Sequence, residues 1–168
     1  MSVPLKFGGI DIVLHAGPPE QTADPLEASA VLRMSDGFGI KMTAWEKAAG
    51  TISGQGWMPP GLDGLDYSAP IELRSTQINT MQGTVLEYTL PDTPRPDVEP
   101  WAFALLGDQW YPTDCVTVDG VSTVTAVVGA EMYQVWWMPV YSVYARRPAK
   151  QQSSGSGTHS WSISWEEA

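Results

Sequence analysis

The residues of this 168-residue chain that could do chemistry are two histidines, one cysteine and nineteen Asp and Glu, and their spacing argues against a reaction centre. His15 and His159 fall near opposite ends of the chain. A metal-bound or catalytic histidine needs a carboxylate or thiol at ligand spacing, yet Asp11, four residues from His15, is about 13 Å away on an extended strand. Both histidines read as structural or surface residues. Cys115 has no Lys or Arg between Pro96 and Ala145 to lower its pKa, so it reads as a small buried residue. Carboxylate pairs for glycoside hydrolysis could be drawn from Asp63, Asp66, Asp108, Asp114 and Asp119, with eight tryptophans as sugar platforms. Asp36-Gly37, Asp63-Gly64 and Asp119-Gly120 are explained by turn geometry alone, however. No calcium-loop spacing occurs, and Gly54-Gln55-Gly56 and Gly155-Ser156-Gly157 lack the full pattern of a phosphate loop. The sequence therefore points away from an enzyme and assigns no catalytic residue, cofactor or metal.

The elements that would position any site are strands. A chain of this length can bury about 70% of its unfolded surface, so it needs no disulfide, and one cysteine could not make an internal one. With 43% apolar and 17% charged residues, and no apolar run near the ~18 residues of a membrane span, it reads as one soluble globular domain without a membrane anchor. The first nine residues lack the pattern of a cleaved signal, so synthesis in a reducing cytosol is expected. Sixteen glycines and fourteen prolines, spread evenly, forbid long helices. The fold class is all-β: an antiparallel β-sandwich or barrel over residues 1–168, with long loops and at most one short helix, at Thr43 to Ala49.

Alternation puts Ile10, Ile12 and Leu14 on one face of a strand from Phe7 to His15. Hairpins are expected where Ser35-Asp36-Gly37 joins Ala30–Met34 to Gly39–Met42, and where Asp119-Gly120 joins Cys115–Val118 to Val121–Val128. Further strands are expected over 51–54, 71–76, 84–90, 101–106, 131–144 and, as the C-terminal strand, 159–168, where Trp161, Ile163 and Trp165 alternate with serines. Residues 90–100 read as a stiff, Pro-rich loop and 147–158 as a flexible one.

Two features suggest partners. The Glu131 to Tyr144 segment is apolar on both faces, and the adjacent Trp136 and Trp137 must point in opposite directions on a regular strand. In a chain nearly without helix, the second face must be covered by a loop, another sheet or another chain. Trp101 and Trp110-Tyr111 strengthen the partner reading, since large aromatics are enriched at contact centres. The candidate interface residues are Trp110, Tyr111, Trp136, Trp137, Arg146 and Arg147. Between Pro96 and Ala145 lie six acids and no Lys or Arg, and the formal net charge of the chain is -10, so broad binding to a phosphate backbone is disfavoured.

The runs Leu32-Arg33-Met34-Ser35-Asp36-Gly37, Trp45-Glu46-Lys47, Thr51 through Ser68 and Trp161-Ser162-Ile163-Ser164-Trp165-Glu166-Glu167 resemble small structural proteins of long-tailed bacteriophage tails. The resemblance implies a non-enzymatic virion component of the tail-tube, distal-tail or baseplate-ring type, made in the host cytoplasm. Such subunits assemble as hexameric or trimeric rings, meet neighbouring tail proteins, and let DNA pass without specific binding. They commonly carry an obvious helix and a long projecting hairpin; here the projecting element is expected among residues 55–69, 90–100 and 147–158. The alternative is a carbohydrate-binding β-sandwich that recognises a receptor.

Overall fold

The computed structural model describes residues 3–168, and among them regular structure is fifteen strands and a single 3-10 turn. The all-β expectation holds. The chain forms two compact units, one of residues 1–6 and 72–141 and the other of 7–71 and 142–168. Three strands, β1 (Leu5–Phe7), β5 (Ile71–Arg74) and β13 (Val140–Ala145), contain the points where the chain passes from one unit to the other. No helix among the described residues is long and apolar enough to cross a membrane.

In the unit of 7–71 and 142–168, β2 (Ile10–Ile12) follows a turn at Gly8-Gly9, and a 3-10 turn, Leu14–Ala16, precedes β3 (Glu20–Arg33) and β4 (Gly39–Gly56). The strand expected from Phe7 to His15 is thus shorter, and Leu14 is 71% exposed because the 3-10 turn rotates it off the buried face. β15 (Thr158–Glu167) pairs with β4 on one side; on the other it meets the end of β13 and then β14 (Ala149–Ser153). Its alternation is as read: Trp161, Ile163 and Trp165 are buried while Ser162 and Ser164 face out. Trp161 and Trp165 stand opposite Gly54 and Gly50, and each indole lies so close that a Cβ on the glycine would be 2.8 or 3.0 Å from a ring carbon. The Trp161 indole N–H donates to the Ala16 carbonyl at 2.8 Å.

Two expectations fail in this unit. Thr43 to Ala49 is strand, not helix: it lies inside β4, where pairing with β3 overrides the helix preference of Ala, Glu and Lys. Residues 147–158 are not one flexible loop either, because 149–153 pair with β15 and only the turn between them remains irregular.

In the unit of 1–6 and 72–141, β6 (Asn79–Gly83), β12 (Met132–Trp137), β8 (Trp101–Leu106) and β9 (Gln109–Thr113) make a sheet in the order β6-β12-β8-β9. β7 (Glu87–Thr89), β11 (Val121–Val124) and β10 (Cys115–Val118) make a second, with β11 central. Their inner residues share one core: Tyr88, Leu90 and Val124 from the smaller sheet side meet Ala102, Ala104, Tyr133, Val135 and Trp137. Asp119 (φ 50) and Gly120 (φ 78) make the tight turn anticipated for β10–β11, although β11 stops at Val124 rather than Val128. The expected long strand from Glu131 to Tyr144 is broken into β12 and β13 at Met138-Pro139, since proline cannot donate to a ladder. Residues 90–100 are irregular as read, but Arg95 within them is buried: its guanidinium donates to the Pro4 and Ser75 carbonyls, each at 3.1 Å, and to the Asp97 carboxylate at 2.8 and 3.0 Å.

Candidate functional site

The largest uncovered feature is an arm. β4 is paired with β15 only from Ala49 to Gly56, so from there to the turn it has β3 alone as neighbour. At about 3.3 Å per residue, the Pro25 to Met34 stretch extends about 30 Å. The tip is closed by Gly37 (φ 84), by Met34 and Phe38 sharing a backbone hydrogen bond of 2.9 Å, and by the Phe38 N–H donating to the Asp36 carboxylate at 3.0 Å. Pro25 is tolerated because β3 is an edge strand.

Register then sorts the arm into two faces. Ala30 stands opposite Met42 and Leu32 opposite Ile40; a bulge between Ala28 and Ser29 keeps Ala28 opposite Trp45. With Met34 and Phe38 at the tip, this face is apolar from Ala28 and Trp45 outward, and Lys47 opposite Leu26 bounds it at the base. The other carries Glu27, Ser29, Lys41 and Arg33, with Lys41 bonded to Glu27 at 2.9 Å. That pair and the Ser29 hydroxyl hold the Glu27 carboxyl below the usual carboxylate range. The apolar face is open to solvent: Leu32, Met34, Phe38, Ile40, Met42 and Trp45 are 43–66% exposed. A two-stranded ribbon without a packed face is marginal in water.

The second uncovered surface is the outer face of the β6-β12-β8-β9 sheet. Alternation along β12 buries Tyr133, Val135 and Trp137 and leaves Met132, Gln134 and Trp136 half-buried on the other side. Trp136 is opposite Trp101, and their ring centroids are 6.1 Å apart; Phe103 meets Trp136 edge-on at 5.3 Å. Leu105 pairs with Trp110, which continues this aromatic face onto the edge strand β9. Trp136 and Trp137 therefore point apart as read. Trp137, at 2% exposure, is a core residue, which corrects its choice as an interface candidate: the two sheets of its unit enclose it. Trp110 and Tyr111 are exposed, on opposite faces of β9.

Arg146 and Arg147 are exposed where β15 exchanges β13 for β14, and neither makes an ion pair with a described residue. They line a groove of about 660 Å³ with mixed walls that include Tyr144, Trp165, Asp24, Thr51, Ser162 and Ser164. Cys115 is half-buried, and burial pushes its thiol up. His15 rests against Trp57 at 5.1 Å, and among the described residues no three His, Cys, Asp or Glu side chains are grouped as metal ligands would be.

No family model, curated protein or solved structure matches the chain.

The arm is what the sequence reading missed. Its hairpin was anticipated only over Ala30–Met34 and Gly39–Met42, and none of residues 55–69, 90–100 or 147–158 is the projecting element. The signal was present: Ala28, Ala30, Leu32 and Met34 alternate with Ser29, Val31 and Arg33.

Proposed function

We propose that this chain is a non-enzymatic structural subunit that self-assembles, and that its place is a phage tail tube or baseplate ring around the DNA channel. The observation that carries the reading is the arm with its apolar face. Six large side chains, each roughly half exposed and each offering about 200 Å², leave on the order of 600 Å² uncovered, close to the ~800 Å² per partner of a standard interface. A surface of that size suits permanent cover by another copy. The resemblance of residues 51–68 and 161–167 to tail proteins supplies the setting. The stretch from Pro96 to Ala145, with six acids and no Lys or Arg, suits a channel wall, because a negative lining offers DNA no counterion release and lets it slide.

The test is negative-stain microscopy of the purified protein over a range of concentrations. Rings or tubes with a central opening support the reading; uniform particles of one chain at every concentration overturn it. A second reading, a carbohydrate-binding module, is favoured by the open groove that sets the exposed Tyr144 ring among Ser, Thr and Arg side chains. Glycan-array binding that is lost in Tyr144→Ala, together with absence of rings, would favour it.

A further inference from the structure

We infer that the groove carrying Tyr144, Arg146 and Arg147 binds a carboxylated sugar, whose acid is held by the two guanidinium groups while its ring lies against Tyr144. This goes beyond self-assembly and holds for a free or an assembled subunit; it rests on the carbohydrate reading of the same groove and names the class of sugar. All the walls belong to the unit of 7–71 and 142–168.

An extra residue aims the two arginines. Tyr144 stands opposite Glu166 and Ala149 opposite Ser162, so β15 takes four steps, from 166 to 162, where the facing chain takes five, from 144 to 149. On a regular strand Arg146 and Arg147 would point to opposite faces of the sheet. One inserted residue breaks that alternation and re-aims side chains, and here both arginines line the groove. Pro148, next in sequence, is buried and sets the point where the chain rejoins β15 at Ala149. Both arginines are exposed, and among the described residues neither makes an ion pair or a hydrogen bond. In a chain of nineteen acids and nine bases, two adjacent guanidinium groups left uncommitted suit a planar carboxylate, which such groups grip with paired hydrogen bonds.

The remaining walls select a sugar over other anions. Thr51 stands opposite Ser164 on one side and Thr22 on the other, a row of hydroxyls across three strands. The next row is Asp24, Ala49, Glu166 and Tyr144, in which the small Ala49 leaves a low place between two carboxylates. Asp24 is three strand spacings from the arginines, about 14 Å at ~4.8 Å each, so it does not neutralise them. A chain dense in phosphate or sulfate would be repelled by these two acids. A sugar with one carboxylate gives that group to the arginines and donates its hydroxyls to Asp24 and Glu166. The Tyr144 ring, 52% exposed, offers an apolar face to the C–H side of a sugar ring. The groove volume of about 660 Å³ lies within the roughly 300–1,000 Å³ of small-ligand sites and admits a short oligosaccharide.

The test is isothermal titration calorimetry of the full chain with trigalacturonic acid, with 3′-sialyllactose and with maltotriose, a neutral chain of the same length as the first. The expected result is that a carboxylated probe binds at least about tenfold more tightly than maltotriose, and the stronger of the two acids tells a uronic from a sialic source. Arg146→Gln with Arg147→Gln is expected to weaken the acidic probe about a hundredfold and to leave maltotriose unchanged, whereas Tyr144→Ala weakens every probe about tenfold. All three side chains are exposed, and near-ultraviolet circular dichroism establishes that the variants are folded. Arg33→Gln, which removes an exposed charge outside the groove, is expected to change nothing; a loss as large as that of the groove variant would reveal bulk charge and overturn the site. Equal affinity for acidic and neutral probes overturns the sugar class and leaves the carbohydrate reading standing. Absence of binding by all three probes overturns both, while self-assembly, read by microscopy, stands or falls separately.

Discussion

The buried guanidinium of Arg95 offers the sharpest test of how the unit of 1–6 and 72–141 is held together. Its side chain is 0% exposed, and replacing it with methionine keeps the bulk of the stem while removing every donor given to Pro4, Ser75 and Asp97. Breaking a buried pair at one partner costs roughly 3–5 kcal/mol, and because Asp97 retains 32% exposure the loss for Arg95→Met should be near the lower figure, about 3 kcal/mol. That corresponds to a fall of about 6–12 °C in Tm for a chain of this size. The opposite perturbation, Asp97→Asn, has a calculable pH signature. The Arg95 hydrogen bonds hold the Asp97 carboxyl at about 2, against an ordinary 3.8. A depressed folded pKa stabilises above the unfolded pKa and loses that contribution as pH falls through the folded one. The full shift is worth about 2.4 kcal/mol, reduced to about 1–2 kcal/mol by solvent at the carboxylate. Urea unfolding should therefore separate wild type from Asp97→Asn by about 1–2 kcal/mol from pH 7 down to about 5, with the gap closing toward pH 2. An Arg95→Met variant within about 1 kcal/mol of wild type, or a gap for Asp97→Asn that stays constant down to pH 2.5, would refute the reasoning.

The two adjacent tryptophans should behave unequally: Trp137→Ala is expected to cost about 3–5 kcal/mol and Trp136→Ala about 1–2 kcal/mol, read by urea denaturation, because only the first is enclosed by both sheets. Gly17 has φ 90 and a Cβ there would lie 2.0 Å from the Gln55 carbonyl oxygen, so Gly17→Ala should lower stability by about 3 kcal/mol or more in a thermal melt. Burial raises the Cys115 thiol, so its alkylation by iodoacetamide at pH 8 should run slower than that of free cysteine and accelerate on further alkalinisation; a rate equal to free cysteine would contradict the half-buried position.

Where a strand buries one face, its alternation was legible. β8 appears at its expected bounds, β15 nearly so, and the β10–β11 turn follows from Asp-Gly alone. Three features escaped for distinct reasons. The segment Thr43 to Ala49 is rich in helix formers, and its pairing with Asp24–Ser29 makes it strand, information that is not local. β14 is exposed along its whole length, so it carries no apolar pattern, and its Gln and Ser composition resembles a linker. The arm alternates correctly, yet its apolar face is uncovered; a pattern that ordinarily marks a core face here marks a face left open. For the candidate site, opposite orientation of Trp136 and Trp137 was readable from period two, whereas the break at Pro139 and the cover given to Trp136 by Trp101 and Phe103 depend on which strands lie side by side.

If another copy covers the arm's apolar face, as proposed, assembly must depend on that face. Sedimentation velocity of wild type beside Ile40→Asp with Met42→Asp, over a hundredfold range of concentration, tests it most directly. Concentration-dependent assemblies are expected for wild type and a folded monomer for the variant, with a similar urea midpoint at low concentration because these side chains are roughly half exposed and lie outside the core of the single chain. A wild type that sediments as one chain throughout, or a variant that assembles as readily as wild type, would contradict it.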